Sequence, residues 1–503
     1  MHMNTLLSIT VLIPFISIIP VILLNNRPNL REATSIILAI LNTILLLLLF
    51  FRHTLGENAF LKFIQINDII YFGLYTEKLN ILFALLVNFL WVLSIIYSLG
   101  YLRAHHEKNQ TRFFVFFALA IGSTLGLAFS ANLLTLFLFY EILTLSTFPL
   151  VAHNINNNNK KQVATYLGVL IVSSMTLLLA GIILTYVYTG QGNFTPNGLY
   201  NAKHLNPYLV IGIFLLFLFG LAKTAIMPLH KWLPAAMVAP TPVSALLHAV
   251  AVVKAGAFAL IKIVLYIFGI EYMSSVINSV SSVNWLLIIP AITIILASVI
   301  ALFQTNLKKM LAYSTIGQLS YIVLAITLFS PTSVLGGFLY IFAHAFSKIT
   351  LFFAAGSLIA LAHKEDISEL NGIAKKMPIT ILAFSVGALS LIGFPLTIGF
   401  IGKIFIIKGI LESEQYFALI AIIISTVLNC IYLLPVIFRA FFSKDQHIIP
   451  TSLDHLALSP PNYLNSKFKF INCLPMDIAM IITSGAVIGL TFYSHILINI
   501  LVN

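Results

Sequence analysis

Apolar runs of about twenty residues, close to the length of helix that crosses roughly 30 Å of hydrocarbon, recur from one end of this chain to the other. A helix meets all its backbone hydrogen bonds internally, so such runs can pass through lipid without stranding a polar group. They predict helices near residues 4–25, 33–51, 79–101, 113–130, 132–152, 163–189 and 207–229. A second set follows near 243–267, 285–304, 310–329, 334–362, 377–410, 415–440 and 477–500. The expected fold is an all-α polytopic membrane protein of about fourteen transmembrane helices. Composition agrees, since 60% of the 503 residues are hydrophobic and 8% charged, against about 25% charged in a soluble domain. The first run lacks a basic leader and a small-residue cleavage site, and is read as a helix rather than a signal peptide.

The formal net charge of +12 invites a nucleic-acid reading, but the basic residues sit in alternate loops, which is the signature of membrane topology. Arg27, Arg31, Arg103, Lys108, Arg112, Lys160, Lys161, Lys231, Lys308, Lys309, Lys364, Lys375 and Lys376 all fall in odd-numbered loops, and Arg439, Lys444, Lys467 and Lys469 continue the series. Even-numbered loops hold few, chiefly in 52–78 and at Lys203. The odd loops are therefore expected to face the cytoplasm and both termini the other side, with the lipid bilayer and no nucleic acid as surroundings. Cys430 and Cys473 match no metal-ligand spacing and no disulfide framework, so no cofactor and no redox centre is expected in this chain. Only 52–78, 190–206 and 441–476 are long connections, and none has the content of a separate soluble domain. The run Asn154, Asn156, Asn157, Asn158, Asn159 with Lys160 and Lys161 reads as a solvated turn. His105 and His106, beside Arg103, Glu107 and Lys108, read as a wet loop rather than a metal pair.

Ionisable residues inside the spans carry more information, because a charge at the bilayer centre costs at least about 2.5–3.5 kcal/mol. Glu141 lies halfway along LLTLFLFYEILTLSTFPLV, Lys223 deep in the seventh span and Lys254 near the middle of the eighth. His344 and Lys348 share the eleventh, and their four-residue spacing places them on one helical face. Lys403 follows Pro395 in the twelfth, among Gly393, Gly399 and Gly402. Any one of these side chains alone reads equally as a structural residue paired with a neighbour or snorkelling to an interface. Together they do not, because pairing needs about as many buried acids as bases and Glu141 is almost alone. Burial in apolar surroundings disfavours an ammonium and a nearby carboxylate favours it, so a lysine that gains and loses such a partner takes up and releases a proton. A membrane potential supplies about 2.3 kcal/mol per charge per 100 mV, matched by roughly two pKa units at about 1.36 kcal/mol each.

Helix interruptions point the same way. Proline in a span frees backbone groups that only protein or water lining a cavity can satisfy. Lys223 precedes Met227, Pro228 and LHKWLPAAMVAPTPVSALLHAV, while Leu391, Gly393 and Pro395 precede Lys403. Broken helices at corresponding places in two halves mark the site in transporters built from inverted repeats; the halves here are spans 4–8 and 9–13. The resulting division is 1–112 for helices 1–3, 113–268 and 285–440 for two five-helix repeats, and 441–503 for a loop and the last helix.

The chain resembles the antiporter-like subunits shared by respiratory complex I, Mrp-type cation/proton antiporters and membrane-bound hydrogenases. The segment AKTAIMPLHKWLPAAMVAPTPVSALLHAVAVVKAG from Ala222 to Gly256 is similar to that family's central signature almost throughout. YEILTLSTFPLV around Glu141, LKKMLAYSTIGQLSYI at 307–322, HAFSKITLFFAAGSL at 344–358 and GFPLTIGFIGK ending at Lys403 extend the match over roughly 110 to 410. The resemblance implies that Glu141 and Lys223 are the acid and lysine of a first half-channel and that Lys254, flanked by His248, is the connecting lysine. It further implies that His344 and Lys348 continue the polar axis and that Lys403 is the terminal titratable group of a second half-channel, where some members carry Glu. Within the family the chain is closer to D-type antiporter and M-type or N-type complex I subunits than to the longest members, whose lateral helix after the last span has no counterpart before Asn503.

Three functions follow as expectations. One is a proton-translocating subunit of a redox-driven NADH:quinone oxidoreductase, with quinone and flavin chemistry in other chains. The second is a subunit of a Mrp-type sodium/proton antiporter or of an assembly coupling protons to another solute. The third is a non-conducting scaffold. Expected partners are other membrane subunits and protons, with sodium in the antiporter case, in an energy-coupling inner membrane of bacterial or organellar type.

Overall fold

The computed structural model describes residues 2–202, 205–444 and 473–502. Most of the 441–476 loop, with Lys467 and Lys469, lies outside the described residues, as does Lys203. Among the described residues, twelve helices are long and apolar enough to cross a membrane. In chain order the elements are α1 (Met3–Leu23), α2 (Pro28–Thr54), α3 (Lys78–Ala104), α4 (Gln110–Ala128), α5 (Leu133–Val151), α6 (Lys160–Thr189), the shorter α7 (Pro207–Gly220) and α8 (Thr241–Phe268). They continue with α9 (Ile270–Val280), α10 (Trp285–Leu302), α11 (Leu307–Thr327), α12 (Pro331–Ala362), α13 (Pro378–Ile392), α14 (Ile398–Glu412), α15 (Tyr416–Phe442), α16 (Leu474–Phe492) and α17 (Ser494–Val502).

Helix starts follow local chemistry. Pro28, Pro207, Pro331 and Pro378 occupy first-turn positions, where the missing N–H costs nothing. Asn132 and Asn306 are N-caps whose side chains accept from the Thr135 and Lys309 amides. Helices α8, α11 and α12 are almost wholly buried, whereas α2, α6 and α16 leave most of their apolar surface outward. Ile37 on α2 and Ile420 on α15 are 62% and 57% exposed, a surface that only lipid or another membrane chain makes favourable. At the centre, α12 runs 32 residues, about 48 Å at 1.5 Å per residue. It packs along α13, α14 and α16 and crosses α8, so its polar side chains face protein throughout.

One departure from an all-α reading lies in the 52–78 connection. There β1 (Phe60–Gln65) pairs antiparallel with β2 (Tyr71–Tyr75), with Phe60 opposite Tyr75 and Leu61 opposite Leu74. The Asn67 side chain closes the turn by accepting from the Ile69 and Ile70 amides. β2 is the inner strand, and the Gly73 amide donates to Thr135 while Asn132 donates to the Tyr71 carbonyl. The hairpin thus caps the start of α5.

The alternation of loops is also visible in space. Arg31 donates to Thr111 and Arg103 to Glu32, joining the first and third connections. Arg112 reaches the His153 carbonyl, Lys308 the Ala239 carbonyl and Asn306 the Glu365 carboxylate, while the Gly372 amide reaches the Arg439 carbonyl. Thr241 at the start of α8 donates to the Tyr101 hydroxyl near the end of α3 and joins the two groups, so the described odd-numbered connections gather on one face. Tyr71 to Asn193, Tyr266 to Glu77 and the Asn284 amide to Gln415 join even-numbered connections on the other.

Between α2 and α3 the contact is partly polar: Asn42 donates to Asn88, which donates to the Ala39 carbonyl and to Thr43. Asn88→Leu is expected to cost about 1–2 kcal/mol, the range for interhelical hydrogen bonds in membranes. A thermal-unfolding midpoint in detergent equal to wild type would contradict this.

Candidate functional site

The seventh span does not continue as a helix to residue 229. It ends at Gly220, and Lys223 sits in a single 3-10 turn, Ala222–Thr224. Ala225 follows in the left-handed region at φ 56°, so the chain turns away and leaves the Lys223 side chain pointing into the bundle. Its Nζ donates to the Tyr140 carbonyl and the Thr144 hydroxyl, each at 2.7 Å, and lies 3.1 Å from the centre of the Tyr140 ring. Tyr140 and Thr144 are one turn apart on α5, and Glu141 lies between them in the chain, next to Tyr140. Glu141 and Lys223 are thus brought side by side but not into ion-pair contact, and Glu141 Oε1 is buried with no protein partner.

Helix α8 presses its backbone on this turn. A Cβ on Gly256 would stand 2.8 Å from the Lys223 carbonyl carbon and Cβ. Two residues earlier, Lys254 Nζ donates to the His248 carbonyl at 2.9 Å and lies 2.9 Å from Nδ1 of His344 on α12. The His248 carbonyl is within reach because residues 246–250 form a π-helical turn, a distortion frequent at functional sites. Both ring nitrogens of His248, and Nε2 of His344, are buried without protein partners. One turn beyond His344, Lys348 Nζ donates to the Leu311 carbonyl at 3.0 Å.

The twelfth span breaks as the sequence predicts, between α13 and α14, with Pro395 in the gap. Lys403 reaches back from α14 to the carbonyls of Leu391 and Ile392 at the end of α13, 2.8 and 3.0 Å away, with the Tyr321 ring 4.9 Å from Nζ. Carbonyls freed by the end of one helix half are thereby taken by the ammonium on the other. Ser347 and Ser390 hydroxyls, 2.8 Å apart, join the residue before Lys348 to the residue before Leu391, linking α12 to the break.

Lys223, Lys254, Lys348 and Lys403 are all buried, and none is in ion-pair contact with a carboxylate among the described residues; the pairs that exist involve other side chains. Four ammonium groups are held by carbonyls, one hydroxyl and one imidazole. Sequence reasoning missed Tyr140, Thr144, Ser347 and Ser390, whose residue types are too common in spans to stand out. It also missed Lys262, whose Nζ is fully buried against the Ser130 carbonyl at 2.6 Å. Its signal was available, since Lys262 lies within the predicted eighth span. Lys308, read as a loop residue, is half-buried on the Ala239 carbonyl at 2.8 Å. Among the described residues no three His, Cys, Asp or Glu side chains gather where they would hold a metal ion.

Residues 130–429 match the family model described as NADH:quinone oxidoreductase/Mrp antiporter, TM, and residues 63–114 that of the NADH-ubiquinone oxidoreductase (complex I) chain 5 N-terminus. The chain belongs to this antiporter family. Over 360 residues it is 31% identical to NADH-quinone oxidoreductase subunit N of Desulforudis audaxviator, covering 71% of this chain and 70% of the relative. It is 30% identical over 445 residues to subunit L of Rickettsia bellii, covering 84% and 66%. Against chloroplastic NAD(P)H-quinone oxidoreductase subunit 5 of Nuphar advena identity is 32% over 372 residues, covering 70% of the chain but 48% of the relative, so the chain spans about half of that longer protein. The antiporter fold is shared with a chain of the membrane-bound sulfane sulfur reductase, an archaeal respiratory membrane complex, at TM-score 0.81 and 24% identity, covering 98% and 96%. A chain of the Mrp complex from Dietzia sp. DQ12-45-1b aligns at TM-score 0.79 and 19% identity, covering 99% and 96%. This member of the antiporter family is therefore a multi-pass helical membrane protein with the fold of subunits found in energy-coupling complexes.

Proposed function

We propose that this chain is a proton-translocating membrane subunit of a multi-subunit complex, moving protons through two linked half-channels by protonation and deprotonation of buried lysines beside one buried glutamate. The carrying observation is the set of four buried lysines held by neutral acceptors. A permanently charged buried ammonium is retained when a carboxylate is in contact with it; four without one suit groups that lose and regain protons. Glu141 with Lys223 forms the first half-channel, Lys254 with His248 and His344 the connection, and Lys348 with Lys403 the second half-channel.

Counting α7 with its broken continuation as one crossing, and α13 with α14 as another, makes fourteen crossings and two inverted repeats at 113–268 and 285–440. The face that gathers the odd connections and their Arg and Lys residues is the cytoplasmic one, with both termini opposite. No cofactor is assigned to this chain. The complex is a quinone oxidoreductase of the complex I type, with redox chemistry in peripheral chains, or a Mrp-type sodium/proton antiporter. Proteins co-purifying in mild detergent separate the two: flavin or iron–sulfur chains select the first, and small membrane chains with sodium-dependent proton flux select the second.

Glu141→Gln keeps the shape of a side chain whose Oε1 has no protein partner, so folding is expected to be unaffected. Proton uptake by vesicles carrying the assembled complex should fall about tenfold or more, a barrier raised by at least about 1.4 kcal/mol. Wild-type uptake in that variant rejects the proposal.

A further inference from the structure

Apart from the polar axis, the described residues include one more fully buried lysine. Lys262 lies eight residues beyond Lys254 on α8, about 12 Å along the helix, at the end that meets the even-numbered connections. Its Nζ donates to the Ser130 carbonyl at 2.6 Å and stands 3.3 Å from the Ala128 carbonyl and 3.4 Å from the Ser130 hydroxyl. The Phe194 ring centre is 4.3 Å away and that of Tyr75 5.5 Å. Three neutral acceptors and two aromatic faces therefore surround an ammonium that no carboxylate contacts.

A carboxylate is held one ring further out. Glu77, the residue that starts α3, is only half-buried, and both Tyr75 and Tyr266 donate their phenol hydroxyls to it. Tyr75 thus has its ring against Lys262 and its hydroxyl on Glu77. Tyr266 is four residues beyond Lys262 on α8. The titratable and charged groups of this corner, besides Lys262, are Glu77, Tyr75, Tyr266, His53 and Lys78.

We propose that Lys262 and Glu77 form a proton-exchange pair at the even-loop mouth of the first repeat, where the eighth span trades protons with that side of the membrane. The inference rests on the proton-translocating reading above. The two groups are not in contact, so the outward step runs over water: an N–H bond of the Lys262 ammonium breaks as a water oxygen takes its proton, and that water in turn gives a proton to the Glu77 carboxylate, where an O–H bond forms. Lysine becomes neutral, the acid becomes neutral, and Glu77 then releases the proton to water at its exposed edge; the inward step is the reverse. A competing role is purely structural: Lys262 caps the last carbonyls of α4, as basic side chains do at helix C-termini.

Lys262→Arg separates the two, because arginine keeps the charge and donors for capping but does not deprotonate in proteins. Glu77→Gln leaves the cap untouched. Both variants are to be measured in the assembled complex, reconstituted in vesicles, by fluorescence quenching of a pH-sensitive dye across external pH, with native gels for assembly. We expect normal assembly, proton flux about tenfold lower in each, equivalent to about 1.4 kcal/mol of barrier, and a flattened pH profile. Wild-type flux and pH profile in either variant overturn the pair. If Lys262→Arg fails to assemble, Glu77→Gln decides alone. Wild-type vesicles that move no protons overturn the underlying reading instead, which keeps the two failures apart.

Discussion

Lys223→Ala is expected to reduce proton movement to the background of empty vesicles while the subunit still folds and assembles. The lysine occupies a fully buried turn at the end of a broken span, so truncation removes its stem as well as its charge. Removing it does not strand its partners, since the Thr144 hydroxyl already donates to the Tyr140 carbonyl at 3.1 Å. The loss is confined to the side-chain stem and one cation over an aromatic ring, about 2 kcal/mol when desolvated. Transport loses the buried ammonium beside Glu141, and the groups in hydrogen-bond contact with that position, the Tyr140 and Thr144 hydroxyls and the Tyr140 carbonyl, supply no ammonium in its place. Vesicle uptake driven by the complex, together with native-gel recovery, checks both halves. Pumping at wild-type rate would exclude Lys223 as a carrier, and absence of the assembled complex would make it a packing residue.

Gly399→Ala should have the largest effect on the structure itself. A Cβ on Gly399 would lie 1.9 Å from the Ser390 carbonyl oxygen and 2.8 Å from its carbonyl carbon and hydroxyl. The obstructing atoms are mainly backbone, so no rotamer change relieves them, and the first turn of α14 must move away from the end of α13. Overpacking of this kind costs typically about 1–3 kcal/mol, occasionally more. It would also pull Lys403 off the Leu391 and Ile392 carbonyls and disturb the Ser347 to Ser390 link, so flux is expected to fall with stability. Gly485→Ala, on the outer surface of α16 where a Cβ meets nothing within 4 Å, is the control and should match wild type or gain slightly. An unchanged thermal midpoint for Gly399→Ala would show that the two half-helices are not held as closely as described.

Much of the architecture was legible because it depends on local properties. A run of about twenty apolar residues identifies a crossing wherever it sits, and the breaks near Pro228 and Pro395 follow from what proline and glycine do to a helix. Even so, the seventh span stopped earlier than its hydropathy suggested. Ala222, Ala225 and Ile226 are as apolar as the helix before them, so composition carries no mark of the turn at Lys223. The hairpin at 60–75 escaped for a related reason. Its alternating residues form a short two-stranded piece that depends on Asn132 and Thr135 at the start of α5 for its place.

What the sequence determined alone is that Glu141, Lys223, Lys254, Lys348 and Lys403 fall within apolar runs, their order along the chain, and the alternation of basic and non-basic loops. Those are statements about position along one dimension, and the cost of burying charge makes them readable there. Tertiary structure alone decided what each charge touches. Lys254 meets a histidine 90 residues away, and Lys262 meets a carbonyl 132 residues away, through crossings that no local pattern encodes. Whether Glu141 and Lys223 touch or merely adjoin turns on an ångström-scale choice between a carboxylate and a helix carbonyl that Thr144 already shares, and that choice belongs to the packed helices around them.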